Sequence, residues 1–315
     1  MHDLAFPLLI GLVAIALAFD FLNGLHDAAN SIATVVSTQL LSPVAAVLFA
    51  AVGNFAAYWI VGLHVAETVG KGIIDKDVVT PAVVFGALIG AMFWNVLTWF
   101  KGIPSSSSHA LIGGLLGAGI AHSGFGAVET SGTSKTIAAI FLSPVIGFAI
   151  ALVLMLLTSI AFQKVRPRPA NATFKALHLC SSAAYSISHG GNDAQKTMGI
   201  IAVLLYSTGH LGGEFHVPEW VVLSCYGAIA LGTLSGGWRI IKTMGTGLTR
   251  LNHHSGFCAS TAGSIVVFGA SAMGIPVSTT HAITGSVIGT GAARRTSAVR
   301  WGLATKVVIA WFITI

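Results

Sequence analysis

Charge is what this chain has least of: Asp, Glu, Lys and Arg make up 8% of its 315 residues, while 54% fall in the hydrophobic class and the mean hydropathy is +0.84. A water-soluble fold would lack the polar surface to cover itself, so lipid is the solvent the composition calls for. Cysteine is also sparse. Cys180, Cys225 and Cys258 lie in apolar surroundings at no metal-ligand spacing, which excludes a disulfide framework and a zinc site. Alternating polarity is missing from the apolar runs, which excludes a transmembrane barrel. The first run, Leu4 to Phe19, has no positively charged start and no small-residue cleavage site, so it reads as a retained membrane segment and not a signal peptide. The formal charge of +6 sits in short loops, where it serves to orient a membrane protein and not to bind nucleic acid.

What the chain has is apolar length. A helix needs roughly 20 apolar residues to span hydrocarbon, and such stretches recur at about 43 to 63, 81 to 100, 137 to 162, 218 to 237 and 257 to 273. Backbone groups in lipid must be satisfied within the segment, so the fold class is an all-α polytopic membrane protein.

Two motifs recur in the same order. Gly24-Leu25-His26-Asp27-Ala28-Ala29-Asn30-Ser31 is echoed by His189-Gly190-Gly191-Asn192-Asp193-Ala194-Gln195-Lys196-Thr197, and Gly102-Ile103-Pro104-Ser105-Ser106-Ser107-Ser108-His109-Ala110 by Gly274-Ile275-Pro276-Val277-Ser278-Thr279-Thr280-His281-Ala282. The shifts, 166 and 172 residues, are nearly equal. Basic residues cluster at Lys164 to Lys175, at Arg239, Lys242 and Arg250, and at Arg294, Arg295 and Arg300, while the loops at 64 to 80, 122 to 136 and 207 to 217 show no such excess. Positive-inside then makes the first Gly-Ile-Pro motif enter from outside and the second from the cytoplasm, with the amino terminus outside. The expected organisation is two inverted-topology repeats, residues 1–162 and 176–315, joined by a cytoplasmic linker at 163–175. Asn23-Gly24 and Gly190-Gly191 predict breaks or kinks in the helices that carry the acidic motifs. The Gly-Ile-Pro motifs predict the tips of re-entrant helical hairpins, with full spanning pairs as the alternative.

Asp27 and Asp193 stand in apolar sequence, where a carboxylate costs at least about 2.5 kcal/mol unless it faces a polar interior. Their matched positions point to an ion site, with Asp20 and Asn30 nearby. His26 adjoins Asp27 and offers an imidazole titrating near neutrality beside a membrane carboxylate, an arrangement suited to relaying protons. Ser105, Ser106, Ser107 and Ser108, with Ser278, Thr279 and Thr280, supply hydroxyl donors ahead of helix starts, where unpaired backbone N–H groups bind oxyanions. Asn192, Gln195 and Lys196 are further candidate donors. His109 and His281 read as satisfied hydrogen-bonding residues. Asn54, Asn95 and Thr98 read as interhelical hydrogen-bond formers.

With Asn23-Gly24-Leu25-His26-Asp27-Ala28-Ala29-Asn30, Ser188-His189-Gly190-Gly191-Asn192-Asp193-Ala194-Gln195-Lys196, Gly236-Gly237-Trp238-Arg239, Lys242-Thr243-Met244-Gly245 and Pro276-Val277-Ser278-Thr279-Thr280-His281 on the page, the chain resembles the inorganic phosphate transporter (PiT) family, and looks most like its short bacterial members. The resemblance covers essentially the whole chain. It implies a secondary symporter in the inner membrane, carrying phosphate or a metal-phosphate complex with a driving ion, as a homodimer and without a cofactor. Members with His before the first Asp resemble those associated with protons, which adds to the case for proton over sodium coupling; some relatives carry sulfate. It also implies a chain continuing beyond Ile315. A passive anion channel would need a continuous polar pore, and a hydrolase would need a nucleophile-elbow context that the sequence lacks, so an enzyme is not expected.

Overall fold

The computed structural model describes residues 6–75, 78–103, 105–236 and 247–314. Among them the chain forms helices α1 (Phe6–Ser37), α2 (Pro43–Ile60), α3 (His64–Lys71), α4 (Pro81–Lys101), α5 (Ser107–Ser123), α6 (Thr130–Phe162), α7 (Pro167–Ser207), α8 (Glu219–Ser235), α9 (His253–Ala272), α10 (Thr279–Arg294) and α11 (Trp301–Ile313). No strand forms among the described residues beyond one isolated bridge between Ile74 and Val128. Five helices, α1, α2, α4, α6 and α9, are long and apolar enough to cross a membrane. Their starts follow local chemistry. Ser42 and Thr80 each accept a hydrogen bond from the third residue on, with proline at the first helical position, and Asn252 forms a capping box with Ser255.

Outward faces are apolar, with Val44, Val52 and Trp59 of α2, Phe93 and Phe100 of α4, and Val145, Leu157 and Ile160 of α6 all exposed. In water such a surface would drive association; in lipid it is the solvated face.

The interior holds two apolar cores with a polar layer between them. The first core takes Leu9, Leu12 and Phe19 from α1 with Met198, Ile201 and Leu204 from α7; the second takes Ala29, Ile32 and Val35 from α1 with Tyr185 from α7. So α1 runs from the first core into the second, and α7 runs from the second into the first. Between the cores, Asp20, Asn23, His26 and Asp27 of α1 and Ser188, His189, Asn192 and Asp193 of α7 are all buried. The hairpins repeat the pattern. α4 and α5 pack Leu88 and Leu115 into the first core, whereas α9 and α10 pack Val267 and Val287 into the second.

Of the expected breaks or kinks, the breaks are corrected: both α1 and α7 run unbroken through their acidic motifs. The glycines serve close approach and not helix breaking: a Cβ on Gly24 would collide with the carbonyl oxygen of Ile229 in α8, and one on Gly190 with the backbone of Asn54 in α2. Helix propensity lost at these positions, about 1 kcal/mol per glycine, is outweighed by the packing of neighbouring helices. The stretch Gly237 to Gly245, with Trp238, Arg239, Lys242, Thr243 and Met244, lies outside the described residues.

Candidate functional site

The polar layer is a cage built from the middles of α1 and α7 and from the two hairpin tips. Each tip is a helix end, a short extended turn and a helix start. Gly102 closes α4 in the left-handed region, φ 63°, and Gly274 takes φ 67° after α9. Ser106 then caps α5 by accepting from the backbone N–H of His109 at 3.2 Å, and Ser278 caps α10 by accepting from that of His281, also at 3.2 Å. The two serines are thus committed to capping, and the hydroxyls one and two residues later, Ser107, Ser108, Thr279 and Thr280, fall in the first helical turn.

Around Asp27 the contacts are polar on every side. His26 Nδ1 lies 2.9 Å from Asp27 Oδ1, and its Nε2 lies 3.1 Å from Thr98 Oγ1 and 3.5 Å from Ser105 Oγ. Ser105 donates to Thr98 Oγ1 at 2.9 Å. Thr280 points back across the cage, 3.5 Å from Asp27 Oδ1 and 3.3 Å from the carbonyl of Ser105, while it accepts from Asn30 Nδ2 at 2.9 Å.

Asp193 is held more tightly. Lys196 forms an ion pair with its Oδ1 and donates to Ser108 Oγ at 2.6 Å and to the carbonyl of Val277 at 2.9 Å. Ser108 stands 3.5 Å from the same Oδ1, and Thr279 donates to Oδ2 at 3.0 Å. His189 Nε2 is 3.2 Å from Oδ2, and its Nδ1 is 3.0 Å from Asn54 Oδ1. Asn192 ties α7 to the second tip, donating to Ser271 Oγ at 2.9 Å and accepting from the N–H of Val277 at 3.3 Å. Ligand atoms of Asp27, His189 and Asp193 lie within 4.8 Å of one another. No cage residue exceeds 5% exposure, so the cage is closed to both sides in this conformation.

Not every candidate joins the cage. Gln195 spends its amide on backbone, accepting from the N–H groups of Val65 and Ala66 and donating to the carbonyls of Gly62 and Gly191. It therefore anchors the start of α3. Asp20 lies two turns from Asp27 on α1, fully buried, and accepts from Thr197 Oγ1 at 3.0 Å. His109 and His281 pack against each other, ring centroids 4.2 Å apart and edge to face, and neither ring nitrogen of His109 has a hydrogen-bond partner among the described residues. Two members were not among the ion or substrate candidates: His189, detectable as the i, i+4 neighbour of Asp193 on α7, and Thr98, which the sequence marks as an interhelical hydrogen-bond former and whose hydroxyl on α4 meets His26 of α1.

A profile described as the phosphate transporter family matches residues 23–171 and 161–315. The chain is 62% identical over 311 residues to a probable low-affinity inorganic phosphate transporter of Rhizobium meliloti, covering 99% of this chain and 93% of that one. It is 42% identical over 316 residues to a probable low-affinity inorganic phosphate transporter of Bacillus subtilis, covering 99% and 94%. Among solved structures, the sodium-dependent phosphate transporter shares the fold with a TM-score of 0.90 and 25% identity, over 98% of this chain and 95% of that one.

That structure overturns the expectation of a proton as coupling ion, since the protein sharing this fold is sodium-dependent. In the cage both nitrogens of His26 are engaged, one with Asp27 and one with Thr98. The cage around it is rich in the oxygen donors that a hard cation needs. A membrane-embedded all-α chain whose sequence matches phosphate transporters from end to end is a transporter and not an enzyme: it belongs to the phosphate transporter family.

Proposed function

We propose that this chain imports inorganic phosphate by sodium-coupled alternating access, with phosphate and sodium held together in the cage between α1, α7 and the two hairpin tips. The observation that carries the reading is the sealed cage itself, in which two carboxylates are answered by a single ammonium group, that of Lys196. A phosphate anion entering such a site alone would bring more negative charge into a dry, low-dielectric interior that already holds an excess of it. Sodium ions between the carboxylates, the hydroxyls of Thr279, Thr280 and Ser108 and the carbonyls of Ser105 and Val277 reverse that balance. Cargo and driving ion are therefore bound as one neutralised set, and this is the physical basis of coupling.

Phosphate oxygens are received by the first turns of α5 and α10, through Ser107, Ser108, Thr279 and Thr280, and by Lys196 and Asn192. Asp27 and Asp193 hold the sodium ions, with Asn30 and His26 orienting Thr280 and Asp27. Asp20, one turn from Asp193 across Thr197, is assigned a further cation position on the path.

The opposite traverse of the two cores by α1 and α7, and by the two hairpins, supports an inverted repeat of residues 1–162 and 176–315. Rocking of one half against the other around the fixed cage would then expose it to each side in turn. We assign the amino terminus to the outside of the inner membrane and a homodimer as the assembly, both on sequence grounds.

Proteoliposome uptake of labelled phosphate tests the reading. An inward sodium gradient should drive accumulation above the external concentration, and replacing sodium with choline should abolish it. Equal flux in both media, stopping at equilibrium, would mark a passive channel. Sodium-driven accumulation of labelled sulfate, with phosphate uptake blocked by unlabelled sulfate, would move the cargo to another oxyanion.

A further inference from the structure

A recess of about 480 Å³ opens at the protein surface where the segment before α9 meets the connection from α10 to α11. Arg250, Arg294, Arg295 and Arg300 line it, together with the hydroxyl residues Thr249 and Ser297. No acidic residue lines the recess, and none of the four guanidinium groups is paired with a carboxylate among the described residues.

Positive-inside orientation accounts for basic residues in loops, but it asks nothing of where their side chains gather. Here two segments far apart in sequence are tied together so that their arginines share one concavity. Thr249 donates to the carbonyl of Ala298 at 3.1 Å, the N–H of Arg300 to the carbonyl of Leu248 at 2.9 Å, and Arg294 Nη1 to the carbonyl of Arg250 at 3.0 Å. Four like charges held around a recess by backbone ties repel one another unless an anion sits among them. The fork of N–H donors on each guanidinium fits phosphate oxygens in pairs. Arg300 is also the N-cap residue of α11, a helix start with no side-chain cap, which adds favourable potential for an anion at the same edge.

We propose that this recess binds a phosphate-bearing anion, as a site separate from the transport cage. Its position gives the occupant influence over transport. α10 carries Thr279 and Thr280 at its first turn and Arg294 at its last, so an anion drawing Arg294 toward Arg250 and Arg300 fixes the far end of the helix that lines the cage. The phosphoryl group can come from an anionic lipid headgroup or from a free phosphate compound, since the recess lies on the face assigned to the cytoplasm, where both are present.

The experiment uses the full chain in nanodiscs, in two arms, with hydrogen exchange followed at residues 247–251 and 294–303. In the first arm, discs of phosphatidylcholine are compared with discs containing phosphatidylglycerol. In the second, inorganic pyrophosphate is titrated onto phosphatidylcholine discs. Protection of those two segments by phosphatidylglycerol alone supports the site with a lipid headgroup; protection by pyrophosphate supports it with a free anion. In either case, combining Arg250→Gln, Arg294→Gln and Arg300→Gln should raise the concentration needed by at least about tenfold, and added salt should weaken binding to the wild type. If neither ligand protects these segments in the wild-type protein, the proposal fails, and that result needs no variant to fold. Equal protection of wild type and a folded triple variant also overturns it.

Discussion

Ser108 Oγ stands 3.5 Å from Asp193 Oδ1, and the two residues come from opposite halves of the chain. The matched pair obeys the same rule in reverse, with Thr280 of the second tip 3.5 Å from Asp27 of the first half. At 3.5 Å both contacts are at the long limit of a hydrogen bond and cost little to separate. Each carboxylate is thus met by a hydroxyl from the other half of the chain, so a relative motion of the halves would change both of the proposed ion positions together. Lys196 is the exception, a firm tie that reaches Asp193 on its own helix and Ser108 and Val277 on both tips.

Lys196 and Asp193 should therefore fail singly and be partly rescued together. Breaking a buried ion pair from one side costs about 3–5 kcal/mol, because the remaining charge is left unpaired. Lys196→Met and Asp193→Asn are each expected to lower the Tm in detergent markedly, and the double variant to recover much of the loss. Sodium-driven uptake should be absent in all three. Wild-type uptake by Lys196→Met would remove the lysine from the cage chemistry.

Thr280 offers a sharper probe, since valine keeps its shape and removes only the hydroxyl. That hydroxyl links Asn30, the Ser105 carbonyl and Asp27. A hydrogen bond to a charged group is worth about 1.5–3 kcal/mol, so Thr280→Val should raise the sodium concentration for half-maximal uptake about tenfold or more. Thr280→Ser should stay close to wild type. Equal sodium curves for all three proteins would place Thr280 outside the ion site.

Gln195 separates anchoring from binding. Gln195→Ala strands the buried N–H groups of Val65 and Ala66, at about 1–3 kcal/mol for each group left unsatisfied. The expected result is a lower Tm with the KM for phosphate unchanged, read by thermal unfolding and initial uptake rates. A raised KM at unchanged Tm would return Gln195 to the substrate set.

Much of this arrangement was legible in the sequence, and for identifiable reasons. Apolar runs announce membrane helices because lipid demands long, uninterrupted burial, and the spans at 43 to 63 and 81 to 100 correspond to α2 and α4. Asp27 and Asp193 announce themselves because a carboxylate is costly in such runs. What local sequence cannot carry is partner identity. Gly24 and Gly190 read as helix breakers because propensity sees one helix at a time; their function lies in the approach of α8 and α2. Gln195 reads as a ligand from its motif, while the N–H groups it accepts from sit about 130 residues away in the first turn of α3. The same limit applies to His26, whose ring beside a membrane carboxylate suggests proton chemistry, while the solved transporter that shares the fold is sodium-dependent.

His26 accordingly provides the test that discriminates most sharply between the two coupling ions. Asparagine at this position keeps an amide that can donate to Asp27 and a carbonyl that can accept from Thr98 or Ser105, but it has no group that titrates near neutrality. If the imidazole carried the coupling proton, His26→Asn would lose concentrative uptake and flatten its response to pH. If it is a brace within a sodium-loaded cage, sodium-driven accumulation persists, slowed by no more than roughly the tenfold that one altered hydrogen bond explains. The ratio of rates between mildly acidic and mildly alkaline buffer should match the wild type, because the pH response left in both proteins is that of phosphate itself. Measuring both proteins in the same liposomes, with the sodium gradient fixed and only pH varied, decides it: a changed ratio in the variant would show that the imidazole takes part in the coupling.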